Sequence, residues 1–352
     1  MRRDRMTFAM MIGIPVIQLL LFGYAINTNP RALPTAVLAG DAGPYVRSLM
    51  TALHYSGYFK IVAQPGSEKE ASSLLNSGRV QFVITIPSDF ERQLMRGEKP
   101  ALLVEADATD PIATGSALAV LPEVAAAVAR DQGISVRAPP FSIIVHKRYN
   151  PEGETRYNIV PGLMGVILTM TMVMITAVAI TRERERGTME YLLSTSVRPA
   201  ELMFGKIVPY ILVGYIQITL ILLAAILFFH VPVFGSIALL YGMASVFILA
   251  NLCMGITFST LAGNQMQALQ MSFFFFLPSI LLSGFMFPFR GMPDWAQAIG
   301  EVLPLTHFLR LVRGIMLKGN GFSMAWEHLW PIAVFALIAL VVALKRFHET
   351  LD

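Results

Sequence analysis

The chain has 352 residues, of which 55% are hydrophobic and only 14% are charged. Ordinary soluble proteins carry about 25% charged residues, so this composition, with a mean hydropathy of +0.60, excludes a purely soluble globular protein. The net charge of +4 does not indicate nucleic-acid binding, because many of the positive residues flank apolar blocks. The composition predicts an α-helical membrane protein.

Six apolar blocks approach the length of about 20 residues that a helix needs to cross a membrane. They cover residues 8–26, 159–180, 207–229, 237–261, 269–289 and 330–344. The first block could instead be a cleaved signal peptide, since Arg2, Arg3 and Arg5 precede it. Its apolar stretch exceeds the roughly 7–15 residues of a signal-peptide core, so we predict a retained span within residues 1–27.

The positive residues of the short loops predict the orientation, because lysine and arginine accumulate on the cytoplasmic side. With the N-terminus inside, the cytoplasmic ends and loops hold ten of them. Residues 230–236 hold none, and the outer segment 290–329 holds only four. We therefore predict that both termini are cytoplasmic and that residues 28–157 form an extracytoplasmic domain.

Residues 28–157 have the composition of a soluble α/β domain inserted between the first two spans. Short apolar runs predict strands at residues 35–39, 59–63, 80–86, 101–105 and 142–146. Helices are predicted at residues 45–55, 68–76, 88–95 and 111–131. Ser67 and Ser88 are placed as N-caps of the second and third helices. The alternation predicts a small sheet covered by helices.

The insert holds few residues suited to catalysis or metal binding. His54 and His146 stand alone, and Asp107 with Asp110 lacks a third ligand, so we interpret the two aspartates as a solvated loop pair. The single cysteine, Cys253, lies in the fourth span, which excludes a disulfide framework. We interpret the insert as a binding or docking module and Cys253 as a packing residue.

The cytoplasmic loop at residues 181–206 is dense in charge where the second span ends. It begins with five residues of alternating charge: Arg182, Glu183, Arg184, Glu185 and Arg186. Glu183 and Arg186 have the spacing of an ion pair on a helix that continues the span. Beyond Gly187, four apolar residues have the spacing of one face of a short helix that ends at Pro199. They are Met189, Leu192, Leu193 and Val197. This helix either lies among lipid headgroups or docks into a partner protein.

The segment 182–199 resembles the coupling region of the permease subunits of type 2 ABC exporters. Other segments, in matching order, resemble a bacterial multidrug-efflux-like subgroup with a large extracytoplasmic domain between the first two transmembrane helices. These segments are residues 149–152, 159–162, 205–210, 283–288, 292–295, 304–306 and 313–319. The family usually has an amphipathic helix ahead of the first span, where this sequence has only residues 1–6. Either the start is truncated or this member lacks part of its interface, and in the second case we expect the loop to carry more of the docking.

The resemblance implies a non-catalytic subunit that exports an amphiphile, such as a drug or a lipid, across the bacterial inner membrane. It implies a partner ABC ATPase that binds ATP and Mg²⁺, and this sequence has no phosphate-binding G-x-x-x-x-G-K-[ST] motif of its own. It also implies a second permease half, either identical or related. The large insert suggests a periplasmic adaptor or an external ligand, and membrane lipid is a further expected partner. The predicted coupling residues are Arg182, Glu183, Arg184, Glu185, Arg186, Gly187, Thr188 and Glu190.

Polar side chains within the spans are candidates for the transport pathway or for helix packing, because intramembrane polar groups usually face a bundle interior. We single out Gln217, Asn251 and Gln270, together with Phe274 from an aromatic run of which some members must face lipid. Hydrogen bonding between helices and contact with substrate both remain open. So does a different function, that of a non-transporting sensor or assembly factor whose outer domain binds a ligand.

Overall fold

The computed structural model describes residues 13, 15–16, 18–25, 30–131, 140–187 and 199–349. By its internal contacts the chain divides into two compact units. The sheet unit comprises Asn27–Asn158 and Arg290–Met292. The helical unit comprises Met1–Ile26, Ile159–Phe289 and Pro293–Asp352. Within the first predicted span, residues 8–26, the structure describes residues 13, 15–16 and 18–25, which include a π-helical turn at Leu21–Ala25.

The sheet unit is built on five strands with the order β2-β1-β3-β4-β5. β3 and β4 are antiparallel, and the other neighbouring pairs are parallel. The strands are β1 (Leu33–Ala39), β2 (Phe59–Ala63), β3 (Phe82–Ile86), β4 (Ala101–Asp107) and β5 (Ser142–Arg148). All five predicted strands are present, with ends that differ by up to two residues.

Helices cover both faces of this sheet. They are α1 (Pro44–Tyr55), α2 (Glu68–Asn76), α3 (Phe90–Met95), α4 (Pro111–Leu118) and α5 (Leu121–Asp131). On one face Leu49 of α1 and Val128 of α5 belong to the same buried cluster as Val37 of β1. On the other face Leu75 of α2 packs in a cluster with Ala36 of β1. Because β1 is buried on both faces, its sequence is almost entirely apolar.

Two of the predicted helices differ from the structure. Residues 111–131 form two helices separated by a turn at residues 119–120, because each segment packs its own apolar residues on the sheet core. Ser88 is not an N-cap: the N-cap of α3 is Asp89, which makes no side-chain capping hydrogen bond. The helix therefore begins two residues later than predicted.

Asp107 and Asp110 also differ from the predicted solvated pair. Asp107 is buried, and its carboxylate accepts hydrogen bonds from the backbone N–H and the hydroxyl of Thr109. Asp110 is the N-cap of α4 and accepts from the N–H groups of Ile112 and Ala113. Both carboxylates accept hydrogen bonds from backbone N–H groups and so stabilise the local turn. The spacing of the two aspartates in the sequence does not reveal this role.

Ser67 is the N-cap of α2, as predicted, and its hydroxyl accepts a hydrogen bond from the Glu70 N–H at 3.3 Å. We expect Ser67→Ala to destabilise α2 by about 1 kcal/mol, because a capping acceptor is lost. Hydrogen exchange of the α2 amides checks this: they should exchange about fivefold faster, while the amides of α5 are unchanged. Equal exchange in both proteins would contradict the capping role.

The helical unit contains seven further helices, counted over the part of the chain that the structure describes. They are α6 (Thr155–Glu185), α7 (Pro199–Leu227), α8 (Ile237–Leu261), α9 (Gln265–Leu282), α10 (Asp294–Val302), α11 (Pro304–Lys318) and α12 (Phe322–Glu349). The first residues of α6, up to Asn158, belong to the sheet unit. A 3-10 turn at Phe289–Gly291 precedes α10.

Six helical segments are long and apolar enough to cross a membrane. Five of them, in α6, α7, α8, α9 and α12, overlap the five predicted spans that follow the first. The sixth is Pro111–Asp131, which comprises α4, α5 and the turn between them. Its apolar residues, such as Ala117 and Val124, are buried in the core of the sheet unit. We therefore assign this segment to the sheet rather than to the membrane.

The fifth predicted span, residues 269–289, is displaced in the structure. α9 begins earlier, where Asn264 caps it by accepting from the Gln267 N–H at 2.8 Å, and it ends at Leu282. Gly284 then has φ +81°, a left-handed conformation that glycine adopts without strain. The chain turns away here although the sequence stays apolar to Phe289, so hydropathy alone predicted too long a helix.

Helix α8 lies at the centre of the helical unit and packs along α12. Phe247 of α8 stacks on Phe308 of α11 with ring centroids 3.9 Å apart. The Thr257 hydroxyl of α8 donates to the Ala339 carbonyl of α12 at 3.3 Å. Cys253, predicted to be a packing residue, is fully buried in this helix. α8 is therefore in direct contact with both α11 and α12.

Candidate coupling surface and membrane pathway

The predicted coupling residues begin where α6 leaves its apolar run. Arg182, Glu185 and Arg186 are exposed, and Glu183 is half-buried. Gly187 follows the helix with φ +70°, and no atom lies within 4 Å of where its Cβ would be. Glycine therefore suits this position because of its left-handed backbone conformation, and not because a neighbouring atom excludes a side chain. The side chain of Arg184, all of Thr188 and Glu190, and the four apolar residues of the predicted short helix lie outside the described residues.

Glu185 joins the end of α6 to the beginning of α9. Its Oε1 accepts from the Gln265 backbone N–H at 2.8 Å, and its Oε2 accepts from the Gln265 side-chain amide. The Gln265 N–H is one of the helix-start donors that have no partner within their own helix. A carboxylate at this position also interacts favourably with the helix dipole.

A second contact joins α6 to α8 one turn earlier. The hydroxyls of Thr181 and Ser259, both buried, lie 2.9 Å apart. Thr181 also donates to the Ala177 carbonyl at 2.6 Å, which fixes its rotamer. The end of α6 is thus bound to two neighbouring helices, so a displacement of residues 182–187 would be transmitted to α8 and α9.

The contacts of Thr181, Ser259 and Gln265 were not predicted from the sequence. A signal was present for Gln265, because Gly263-Asn264 is a helix-start pattern that would have placed the first donors of α9. Nothing in the sequence indicates that Glu185, 80 residues away, is the group that accepts from them.

The hydrogen bonds from Gln265 lower the pKa of Glu185 below its ordinary value, with the backbone N–H as the largest cause. The contact is therefore present at neutral pH and is lost as the pH falls through this lowered pKa. We expect infrared difference spectra between the wild type and Glu185→Gln to show the protonated-carboxyl band of Glu185 only below about pH 4.3, the ordinary glutamate value. A band that appears above that pH would contradict the contact.

Two of the predicted polar residues have defined places within the helices. The Thr171 hydroxyl of α6 donates to the Gln217 side-chain oxygen of α7 at 2.9 Å. Asn251 of α8 is fully buried and donates to the Phe247 carbonyl at 2.9 Å, while its Oδ1 has no hydrogen-bond partner among the described residues. Gln217 therefore links α6 to α7, and Asn251 retains a free buried acceptor.

Gln270 and Phe274 lie on α9. The Gln270 Oε1 is buried without a hydrogen-bond partner in the described part of the chain. Phe274 lines an apolar cavity of about 560 Å³, together with Leu20, Pro278 and Trp295. The structure does not bring Asn251, Gln217, Gln270 and Phe274 into one site by any contact that it shows.

A group of hydroxyls between α7 and α8 was not predicted. The hydroxyls of Tyr215 and Ser245 form a hydrogen bond, and the hydroxyls of Thr219 and Tyr241 form another at 2.6 Å. The two tyrosine rings are also stacked, with centroids 5.9 Å apart. Each member of this group is an ordinary aromatic or hydroxyl residue in an apolar block, so only the packing of the two helices reveals the cluster.

Charged side chains connect α10 to α11. Arg310 makes two hydrogen bonds to the Glu301 carboxylate, at 2.7 and 3.0 Å, and its guanidinium lies over the Phe289 ring. His307 is buried beside them, and its Nε2 lies 2.8 Å from the Glu301 carbonyl. Burial lowers the pKa of His307, so it is neutral at neutral pH. These contacts hold the two helices of the segment 290–329 together.

Comparison with known proteins decides the family. The model for ABC-2 family transporter proteins matches residues 5–345. This chain belongs to that family. ABC-2 permeases work with ABC ATPase partners and pair as dimers, and they are multi-pass membrane proteins.

Three bacterial relatives of this ABC-2 permease illustrate the similarity. The chain is 28% identical over 348 residues to the probable multidrug ABC transporter permease YbhR of Escherichia coli, covering 99% of this chain and 95% of the relative. It is 29% identical over 324 residues to the probable multidrug ABC transporter permease YbhS, covering 90% and 85%. It is 31% identical over 293 residues to the inner membrane transport permease YhhJ, covering 80% and 76%.

Proposed function

We propose that this ABC-2 permease exports an amphiphilic substrate, such as a drug or a lipid, across a bacterial inner membrane. The energy comes from ATP and Mg²⁺ bound by a separate ABC ATPase, and the second half of the pathway is another permease chain. This chain contributes no catalytic residue. It provides half of the path and the surface that receives force from the ATPase.

The attachment of α6 to its neighbours carries the coupling part of the proposal. Residues 182–187 are polar and largely exposed, as a docking surface requires, yet Glu185 and Thr181 bind them to α9 and α8. A push on this surface therefore moves three helices together. A helix end that merely rested among lipid headgroups would not need such contacts with two other spans.

The names of the relatives support the substrate class and the membrane. Two are named as multidrug permeases and one as an inner membrane permease. The apolar cavity beside Phe274 suits the hydrocarbon part of an amphiphile, and the buried free acceptors of Asn251 and Gln270 suit a polar part. We propose these as contacts along the path.

We further propose that both termini are cytoplasmic and that the sheet unit lies on the opposite side of the membrane. Its groove between α1 and α5, of about 780 Å³, is lined by Arg47, Tyr55, Glu123 and Arg130. This mixture of charge and aromatic surface suits a periplasmic adaptor or an external ligand. Lipid covers the apolar outer faces of the spans.

Affinity purification from mildly solubilised membranes tests the ATPase partnership. We expect mass spectrometry to find an ABC ATPase in amounts comparable to the permease. A complex that contains the permease dimer but no nucleotide-binding subunit would favour the sensor or assembly factor instead.

Reconstituted vesicles test transport itself. With the purified complex, a fluorescent cationic amphiphile should be moved in the presence of Mg²⁺ and ATP, and not with a non-hydrolysable ATP analogue. Equal dye movement with both nucleotides would show leakage and would contradict ATP-driven export.

A further inference from the structure

Strand β5 forms one edge of the sheet. It pairs in parallel with β4 over seven residues, from Ser142 to Arg148. Its other side has no strand partner among residues 30–131 and 140–158, the part of the sheet unit that the structure describes. Such an edge presents unpaired N–H and C=O groups that can accept another strand.

The hydrogen bonds at the two ends of β5 show which residues face outward. Ser142 donates to the Pro100 carbonyl at 2.9 Å, and the Arg148 carbonyl accepts from Ala108 at 3.2 Å. Successive residues of a strand direct their backbone groups to opposite sides. The backbone groups of the even-numbered residues therefore hydrogen-bond to β4. The backbone N–H and C=O groups of Ile143, Val145 and Lys147 point to the free edge.

The side chains at this edge are unusually apolar for a strand without a partner. Ile144 is 54% exposed and Val145 is 41% exposed. Natural edge strands are commonly protected by charge, by proline or by short length. β5 has seven residues without proline, and Lys147 is the one charged residue whose backbone faces outward.

We propose that β5 pairs in antiparallel orientation with β5 of a second copy of this chain, with the two-fold axis at Val145. The proposal rests on the pairing of ABC-2 permeases as dimers and goes beyond the transport function. A two-fold axis brings the same surface of both subunits together, and two identical edge strands related by it run antiparallel. β5 can therefore pair with itself without any other segment.

With the two-fold axis at Val145, the strands adopt the register in which every outward backbone N–H and C=O group of β5 is paired. Val145 then faces Val145 of the second copy, and Ile143 faces Lys147. A shift of the axis towards the end of the strand would place Ile143 opposite Tyr149, which has φ +68° and lies outside the strand. A shift the other way would place Lys147 opposite Phe141, which precedes the strand.

The charges also favour this register. The two Lys147 residues lie opposite isoleucines, about 13 Å apart along the strands at about 3.3 Å per residue, so they do not repel strongly in salt. Arg148 is directed to its own sheet, where its Nε lies 3.3 Å from a Glu105 carboxylate oxygen. The exposed Ile144 would lie opposite His146 of the second copy, which removes apolar surface from water.

Single cysteines in the full-length protein test the proposal. Cys253 is the sole natural cysteine, so Cys253→Ala provides a background without thiols. In this background, Val145→Cys should form a disulfide-linked dimer under mild oxidation in membranes, because directly opposed residues of a hydrogen-bonded pair have Cα atoms about 5.5 Å apart, within the disulfide range.

Positions 144 and 146 provide the matched controls. Ile144→Cys and His146→Cys should each form few disulfides with the same position of the second copy. These identical positions are diagonal neighbours across the two strands, about 7–8 Å apart. Membranes that contain both variants should form the mixed dimer. A His146→Cys protein that links with itself as well as Val145→Cys does would overturn the register. Failure of Val145→Cys to link, or linkage to a different protein, would overturn the proposal.

A proline variant tests the backbone contacts. Val145→Pro removes an outward N–H but none of the hydrogen bonds to β4, and proline is tolerated on edge strands. When both cysteine variants also carry Val145→Pro, the yield of the mixed dimer between Ile144→Cys and His146→Cys should fall about tenfold, because the central hydrogen bonds are lost. Unchanged linkage would overturn strand pairing. Co-purification of the ATPase is measured on the same variants. Its absence would contradict the proposed function, whereas its presence without cysteine linkage would contradict only the strand pairing.

Discussion

Gly187→Pro is expected to reduce ATP-driven transport by at least about tenfold while membrane insertion stays normal. Gly187 has φ +70°, and proline is locked near −65°, so the variant cannot direct the chain from α6 into the rest of the loop as the wild type does. The segment that we propose to receive the ATPase would then be presented at a different angle. Force would no longer reach Glu185 and Thr181.

Asparagine at the same position provides the matched control. It adopts left-handed conformations more readily than other non-glycine residues, and no atom lies within 4 Å of the added Cβ. Gly187→Asn should therefore retain most of the transport. The measurement is dye movement and ATP hydrolysis in the same vesicles. Normal substrate-stimulated hydrolysis in Gly187→Pro would contradict the coupling role, as it would in Glu190→Ala.

The sequence predicted the elements of this fold better than their contacts. Five spans and five strands could be located because apolar runs of about 20 and about 5 residues differ clearly in length. The ends were less predictable: hydropathy continued to Phe289, but α9 ends at Leu282. Local backbone geometry at Gly284, which composition does not encode, decides where the helix stops.

The charged end of α6 could be predicted from the sequence, but its contacts with other helices could not. The charges at residues 182–186 indicated a surface at the end of α6, since they interrupt an apolar block. Among them Glu185 contacts Gln265, and the preceding Thr181 contacts Ser259, each about 80 residues away in sequence. Pairings of this kind depend on how α6, α8 and α9 pack. A single sequence does not contain that information in a local pattern.

The close packing of α6 on α8 is the basis of the second large expected effect. A Cβ at Gly255 would lie 2.6 Å from the Val173 carbonyl oxygen and 2.8 Å from the Thr176 Cβ. Backbone atoms cannot move aside as a flexible side chain can, so the helices must separate. This separation would also stretch the Thr181–Ser259 contact one turn further along α8.

Gly255→Ala is therefore expected to destabilise the folded protein by about 1–3 kcal/mol, the usual range for overpacking. Gly242→Ala, in the same helix, is the control: no atom lies within 4 Å of its Cβ, and alanine is the better helix former by up to about 1 kcal/mol. Thermal unfolding in detergent should show a lower midpoint for Gly255→Ala and an equal or higher one for Gly242→Ala. If Gly255→Ala unfolds at the wild-type temperature but loses transport, then the close approach serves movement of α6 against α8 and not stability.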